Sequence, residues 1–327
     1  MASPRIIITG AAGFIGFHLA SRLLDEGLEV VGIDNFNPYY SVQLKRDRHA
    51  RLEGRAGYCG HKMDLCDLSR LRKIFSAFRP TCVINLAAQP GVRHSLKDPF
   101  VYQRSNIEGF LNILECCRHA QPQPRLIYAS SSSVYGANTQ QPFSEEQCTE
   151  TPLSLYAATK KANELMAHSY SNLFGLQTIG LRFFTVYGPW SRPDMATWLF
   201  AEAMLEDRPI RVFNHGEMRR DFTYVDDIVS GVVGCVHAKE LPRNGIYNIG
   251  NNHSERLLDM IRILARELGV ANPRLDLLPM EPGDMMSTCA SVDRLNAAVG
   301  YQPTTPIEVG LPKFAAWFRA HHARYQS

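Results

Sequence analysis

Residues Thr9 to Gly16 read "TGAAGFIG", directly after a β-branched run (Arg5 to Thr9) and at the head of a segment with helical period (Phe14 to Glu26). Gly10, Gly13 and Gly16 suit a strand-turn-helix that receives phosphate. One glycine makes the tight turn, one lets the backbone approach a pyrophosphate, and one lets helix and strand pack closely, while the first helical N–H groups face the anion. Glycine triplets alone are common. Here the next β-branched run, Glu29 to Ile33, ends at Asp34. A carboxylate there accepts both hydroxyls of an adenosine ribose and repels a 2′-phosphate, which predicts NAD rather than NADP. Asp64, in "KMDL" after a third strand, is placed either to approach the adenine or to cap the helix that starts at Leu68.

Outward from this turn the same rhythm repeats. Short apolar runs at Thr81 to Leu86, Arg125 to Ala129 and Gln177 to Phe183 alternate with helical-period segments at Leu68 to Phe78, Ile107 to His119 and Leu155 to Phe174. That alternation predicts an α/β fold, a parallel sheet with crossover helices. After about residue 185 prolines such as Pro189, Pro193, Pro209 and Pro242 break the pattern into short pieces, read as a smaller lobe interleaved with returns to the first.

Composition excludes several classes. The chain has 327 residues, 45% hydrophobic and 20% charged, which supports a substantial core and argues against disorder. A formal charge of +3 is dispersed, and the densest basic stretch, Lys45 to Arg55, is interrupted by Asp47 and Glu53, so no nucleic-acid footprint is expected. No apolar run approaches the roughly 18 residues of a membrane span, and Met1 to Pro4 lead straight into a strand, so a cytoplasmic protein with no membrane partner is expected. The eight cysteines lack metal-ligand spacing and are read as inert core thiols; no metal is expected.

The second chemical signal is "YAATK", which sets Tyr156 and Lys160 on one face of the helix beginning near Ser154. A tyrosine acting as a base near neutral pH needs a lowered pKa, which a nearby ammonium and a positive nicotinamide both favour. Tyr58 and Lys62 share the spacing without helical period and are read as accidental. The third signal is "SSSSVYG", with four serines, Ser130 to Ser133, at the end of a buried strand.

With glycine turn, acidic ribose ligand and Tyr-Lys helix in this order, the chain resembles the extended short-chain dehydrogenase/reductases, specifically their nucleotide-sugar branch. "NLAAQPGVRHS" (Asn85 to Ser95), "SNIEG" (Ser105 to Gly109), "LRFFTVYGP" (Leu181 to Pro189) and "RRDFTYVDD" (Arg219 to Asp227) look like that branch's landmarks. The resemblance implies a Rossmann-type doubly wound parallel sheet over residues 1–185 with returns near 220–250, and a smaller mixed α/β substrate-binding lobe mainly over 186–327. It implies a bound NAD held by Gly10, Gly13, Phe14, Ile15, Gly16, Asp34, Asn35, Asp64, Leu65, Leu86, Ala87, Ala88, Tyr156 and Lys160, a UDP- or TDP-sugar oxidised at C4, and a homodimer paired through a four-helix bundle.

Within that family Ser131 corresponds to the hydroxyl that bonds the sugar O4 beside Tyr156. The dehydratases place Asp and Glu at the two positions held here by Ser132 and Ser133. Without those carboxylates elimination loses its machinery, and removal and return of hydride remains: epimerisation. "DNFNPYY" (Asp34 to Tyr40), "YGPWSRPDMA" (Tyr187 to Ala196) and "FNHGEMRRDFTYVDDI" (Phe213 to Ile228) look most like UDP-glucuronate 4-epimerases. The resemblance places Arg192 with Ser131, Ser132, Ser133 and Thr185 around the sugar carboxylate, Arg220 on a diphosphate oxygen, and Arg93 on the substrate side. The family pattern carries Gly where this chain has Ser191. The alternatives are a UDP-glucose/UDP-galactose 4-epimerase and a catalytically inactive nucleotide-binding sensor.

Overall fold

The computed structural model describes residues 4–280 and 285–325; Met1 to Ser3, part of the N-terminal reading, lie outside the described residues. Seven strands form one parallel sheet: β1 (Arg5–Thr9), β2 (Glu29–Asp34), β3 (Tyr58–Lys62), β4 (Cys82–Asn85), β5 (Arg125–Ser131), β6 (Thr178–Phe183) and β7 (Asn244–Ile249). Their order is β7-β6-β5-β4-β1-β2-β3. The side chains alternate between two cores. Ile6, Ile8, Ile84 and Ile127 enter one, and Ile7, Val83, Leu126 and Tyr128 enter the other, as the two-residue period of a strand buried on both faces requires. Each such aliphatic side chain contributes about 1.5–3 kcal/mol by burial.

Helices cover both faces. On one side α1 (Phe14–Asp25) packs against α2 (Val42–Glu53) and against Val225–His237. On the other, α3 (Leu68–Phe78), α4 (Gly109–His119) and α5 (Leu155–Phe174) pack side by side. The bounds of β1, α3 and α5 are those read from the sequence. Ser154 caps α5 by accepting the Ala157 N–H at 3.1 Å, and Gly175, in left-handed conformation, ends it.

Two local readings change, the start of the helix at Ile107 and the burial of the cysteines, and two others gain a structural setting. The helix expected from Ile107 begins earlier, as Pro99–Tyr102, passes through π-helical Gln103–Glu108 and becomes α4 at Gly109. The basic stretch Lys45 to Arg55 lies mostly on α2, with Lys45 and Arg48 turned into the protein and buried. Cys82, Cys116, Cys117 and Cys235 are buried thiols, whereas Cys59 and Cys148 are exposed. Tyr58 and Lys62 lie on β3, so they share no helix face.

The smaller lobe is mixed α/β. It has three two-stranded pieces, which pair Thr185–Tyr187 with Phe222–Tyr224, Arg219–Arg220 with Glu255–Arg256, and Ile210–Val212 with Leu275–Leu277. Helices Ala196–Leu205, Leu257–Leu268 and Ile307–His321 pack around them. Among the described residues no helix is long and apolar enough to cross a membrane.

Candidate active site

Chain direction across the sheet reverses at β1, with β4 on one side and β2 on the other. A crevice opens at the carboxyl ends of these strands. Gly10, at φ +71°, lines it so closely that a Cβ would lie 2.9 Å from the Ala87 amide nitrogen. A Cβ on Gly16 would collide with the Gly10 carbonyl oxygen. The N-cap of α1 is Gly13, with no capping side-chain bond, and its first turn carries no acidic residue. Its N–H groups and partial positive charge therefore face the crevice, a cradle that fits a dinucleotide pyrophosphate.

Asp34 stands beside the cradle. Its carboxylate accepts the Ala12 N–H at 3.1 Å on Oδ2 and the Phe36 N–H at 2.8 Å on Oδ1. An ionised carboxylate has about four acceptor directions, so two remain for ribose hydroxyls. Asp64 is not a helix cap. Asp67 caps α3 by accepting the Arg70 N–H at 3.0 Å, while Asp64 accepts the Cys66 N–H at 2.9 Å and stands 3.6 Å from Arg104.

The Tyr-Lys helix and the serine strand meet across this crevice. Lys160 is buried and donates to the Ala129 carbonyl at 2.9 Å; desolvation pushes its ammonium down to about 8. Burial pushes the Tyr156 phenol up, opposed by its hydrogen bond with Ser131 and by the charge of Arg192. The charge of Arg192, which the sequence did not point to in this role, thus also acts on the phenol. The four serines divide their work. Ser130 turns inward and donates to Glu164 at 2.6 Å. Glu164 in turn receives Arg182 in a bidentate pair at 2.8 and 2.9 Å. Ser131 caps a short 3₁₀ turn, Ser132–Tyr135, accepting the Ser133 N–H at 3.2 Å and the Ser133 hydroxyl at 2.9 Å. All four serines line the crevice, with Ser131, Ser132 and Ser133 not engaged by Glu164.

The opposite wall is a loop from the smaller lobe. Arg192 pairs with Asp194, Nε to Oδ1 at 3.2 Å, and Nη2 contacts the Met195 Sδ at 3.2 Å. Ser191, in place of glycine, causes no backbone strain, since the positive φ values in this loop belong to Gly188 and Trp190. Arg220 also lines the crevice, donating to the carbonyls of Arg219 at 2.8 Å and Met286 at 3.2 Å.

All the site residues read from the sequence line this crevice except Arg93. Arg93 is exposed, with its guanidinium 4.4 Å from the Phe213 ring centroid. Asn37, Tyr39, Tyr40, Lys45 and Met195 also line it and were not singled out. The stretch "DNFNPYY" was the available signal for three of them. Lys45 donates to Asn37 at 2.8 Å, and Tyr39 donates to Asp194 at 3.1 Å. Among the described residues no group of His, Cys, Asp or Glu could hold a metal ion.

A dinucleotide cradle, an acidic ribose acceptor and a Tyr-Lys-Ser cluster on one doubly wound sheet define a class. Residues 6–250 match the NAD dependent epimerase/dehydratase family. The chain belongs to that family, and within it to the NAD-dependent nucleotide-sugar 4-epimerases of the extended short-chain dehydrogenase/reductases. It is 47% identical over 336 residues to Protein CapI of Staphylococcus aureus, covering 98% of this chain and 100% of that one. It is 44% identical over 331 residues to UDP-glucuronate 4-epimerase 3 of Arabidopsis thaliana, covering 97% and 77%. Its structure is similar to UDP-glucuronic acid 4-epimerase from Bacillus cereus solved with UDP-glucuronic acid and NAD, with TM-score 0.90, 35% identity and coverage of 97% and 99%.

Proposed function

We propose that the protein is a UDP-glucuronate 4-epimerase that interconverts UDP-glucuronate and UDP-galacturonate. The observation that carries the reading is the convergence of a half-buried cation, Arg192, with the carboxylate-free serine turn and Tyr156 on a single crevice. An anionic sugar needs a cation matched by hydroxyl donors, and Ser131, Ser132, Ser133 and Thr185 stand around the same space. The relatives named for UDP-glucuronate point the same way.

Bound NAD supplies the acceptor, and then the donor, of the C4 hydride. Tyr156, as phenolate, takes the O4 proton while Ser131 bonds the same oxygen. Lys160 would hold the nicotinamide ribose and favour the phenolate. The 4-keto sugar turns about its diphosphate, which Arg220 would hold, so that the opposite face of C4 receives the hydride back while Tyr156 returns the proton to O4. This keto sugar is a β-keto acid. Arg192 holds its carboxylate in the plane that disfavours C–C cleavage, and Ser132 and Ser133 offer no carboxylic acid to protonate C5, so decarboxylation is suppressed. The test is substrate choice. UDP-glucuronate should be turned over with kcat/KM at least about tenfold above UDP-glucose; equal values would make it a neutral-sugar epimerase.

We also infer that the protein pairs with a second copy through α4 and α5. Leu111, Leu165 and Leu173 on these helices are 38%, 59% and 70% exposed, an apolar surface a four-helix bundle would cover.

A further inference from the structure

Arg48, on α2, is fully buried, and all four of its hydrogen-bond acceptors are uncharged. Nη1 donates to the Ala12 carbonyl at 3.0 Å and to the Tyr40 hydroxyl at 2.9 Å. Nη2 donates to the carbonyls of Trp190 at 2.5 Å and Ser191 at 3.2 Å. A guanidinium taken out of water is destabilising unless its donors are matched. Here two distant loops, with the Tyr40 hydroxyl, match both Nη groups, while Nε is left without a hydrogen-bond partner.

Both loops matter for what they carry. Ala12 belongs to the glycine turn, and its N–H is the one that binds Asp34 Oδ2. Trp190 and Ser191 immediately precede Arg192. Trp190 sits at φ +62°, a conformation that a bulky L residue keeps only when its surroundings enforce it. The enforcement is visible. His18 Nε2 bonds the Pro189 carbonyl at 2.9 Å, Arg48 takes the next two carbonyls, and the Trp190 ring packs 5.6 Å from Phe17 and 5.2 Å from Trp317, centroid to centroid. Three successive carbonyls before Arg192 are therefore held by side chains of α1 and α2.

We propose that Arg48 is a positioning residue that fixes the aim of Arg192, joining the cofactor turn to the carboxylate-recognising loop and thereby determining selectivity for the acidic sugar. The proposal rests on the reading of Arg192 given above. Only a planar fork spans both loops; a lysine at this place keeps the charge but reaches as a single point.

The experiment compares holoenzyme of wild type, Arg48→Lys, Arg48→Met and Arg192→Ala. It measures hydrogen exchange of the segment 188–195, and dissociation constants for UDP-glucuronate and UDP-glucose. In both Arg48 variants the segment should exchange faster, and the affinity ratio of the two sugars should fall about tenfold, as in Arg192→Ala. Unchanged exchange overturns the joint. Faster exchange with an unchanged ratio overturns its role in aiming Arg192. If Arg192→Ala itself leaves the ratio unchanged, the glucuronate reading fails, and exchange alone then decides whether the joint exists. Should neither Arg48 variant fold, wild type decides: the segment 188–195 must exchange as slowly as the glycine turn 10–16, and rapid exchange there overturns the proposal.

Discussion

Arg192→Ala is the perturbation whose outcome the geometry constrains most tightly. A charge-assisted hydrogen bond contributes about 1.5–3 kcal/mol. Arg192 already faces Asp194 at 3.2 Å and Met195 at 3.2 Å, so the substrate carboxylate shares the cation with a protein carboxylate. The lower end of the range applies, about 1.5 kcal/mol, or about a tenfold loss for UDP-glucuronate. UDP-glucose has no carboxylate to lose. Arg192 also helps to hold down the Tyr156 phenol, so its removal slows turnover of both sugars. That common effect cancels in the ratio of kcat/KM values, which should fall about tenfold towards parity. The pentose share of the product should rise as the carboxylate rotates freely. Asp194, left uncompensated, would repel the substrate, so adding Asp194→Asn should restore part of the affinity for UDP-glucuronate. Equal losses for both sugars, with the ratio intact, would refute the reasoning and assign Arg192 to the nucleotide or to its own loop.

Tyr156→Phe keeps the ring and deletes the phenol, so turnover should fall by about 10² to 10⁴-fold with UDP-sugar affinity largely retained; near-normal turnover would remove Tyr156 as the base. Lys160 tests linkage. Burial lowers its pKa from 10.5 to about 8, so between these values the folded, NAD-depleted protein binds fewer protons than the unfolded chain, and stability rises with pH. The charged lysine therefore subtracts from stability below about pH 8. NAD-depleted Lys160→Met should be the more stable protein near neutrality, by an amount that shrinks as pH rises above 8; a gap independent of pH in thermal unfolding would contradict the shift. Leu165→Arg puts charge on the exposed face of α5; if that face pairs two copies, size-exclusion with light scattering should report dimers for wild type and monomers for the variant, and a monomeric wild type would overturn the pairing.

The sequence made the cofactor half legible because its signals are local. The glycine turn, Asp34 and the ends of α3 and α5 each depend on residues a few positions apart. Helix α2 escaped detection for a physical reason. Its buried positions are Leu44, Lys45, Arg48 and Leu52, so half of the face that should read as apolar is cationic, and a hydrophobic period cannot register it. The roles of Lys45 and Arg48 depend on acceptors in other loops: Asn37 for the first, and Ala12, Trp190 and Ser191 for the second. The π-helical turn before α4 was equally hidden, because Asn106 holds it through bonds to Gln89 and Thr159. Asp64 was ambiguous from sequence because Asp67, three residues on, is the better cap, and only geometry separates the two.

The claim that the keto sugar is returned as an epimer, rather than drained by decarboxylation or dehydration, is tested most directly by proton NMR of purified protein incubated with UDP-glucuronate. The account predicts that anomeric signals of UDP-galacturonate grow to a stable ratio with UDP-glucuronate, with pentose and 4-keto signals as minor products. A spectrum dominated by UDP-pentose or by a 4-keto sugar would contradict it, and so would an unchanged UDP-glucuronate spectrum alongside active conversion of UDP-glucose.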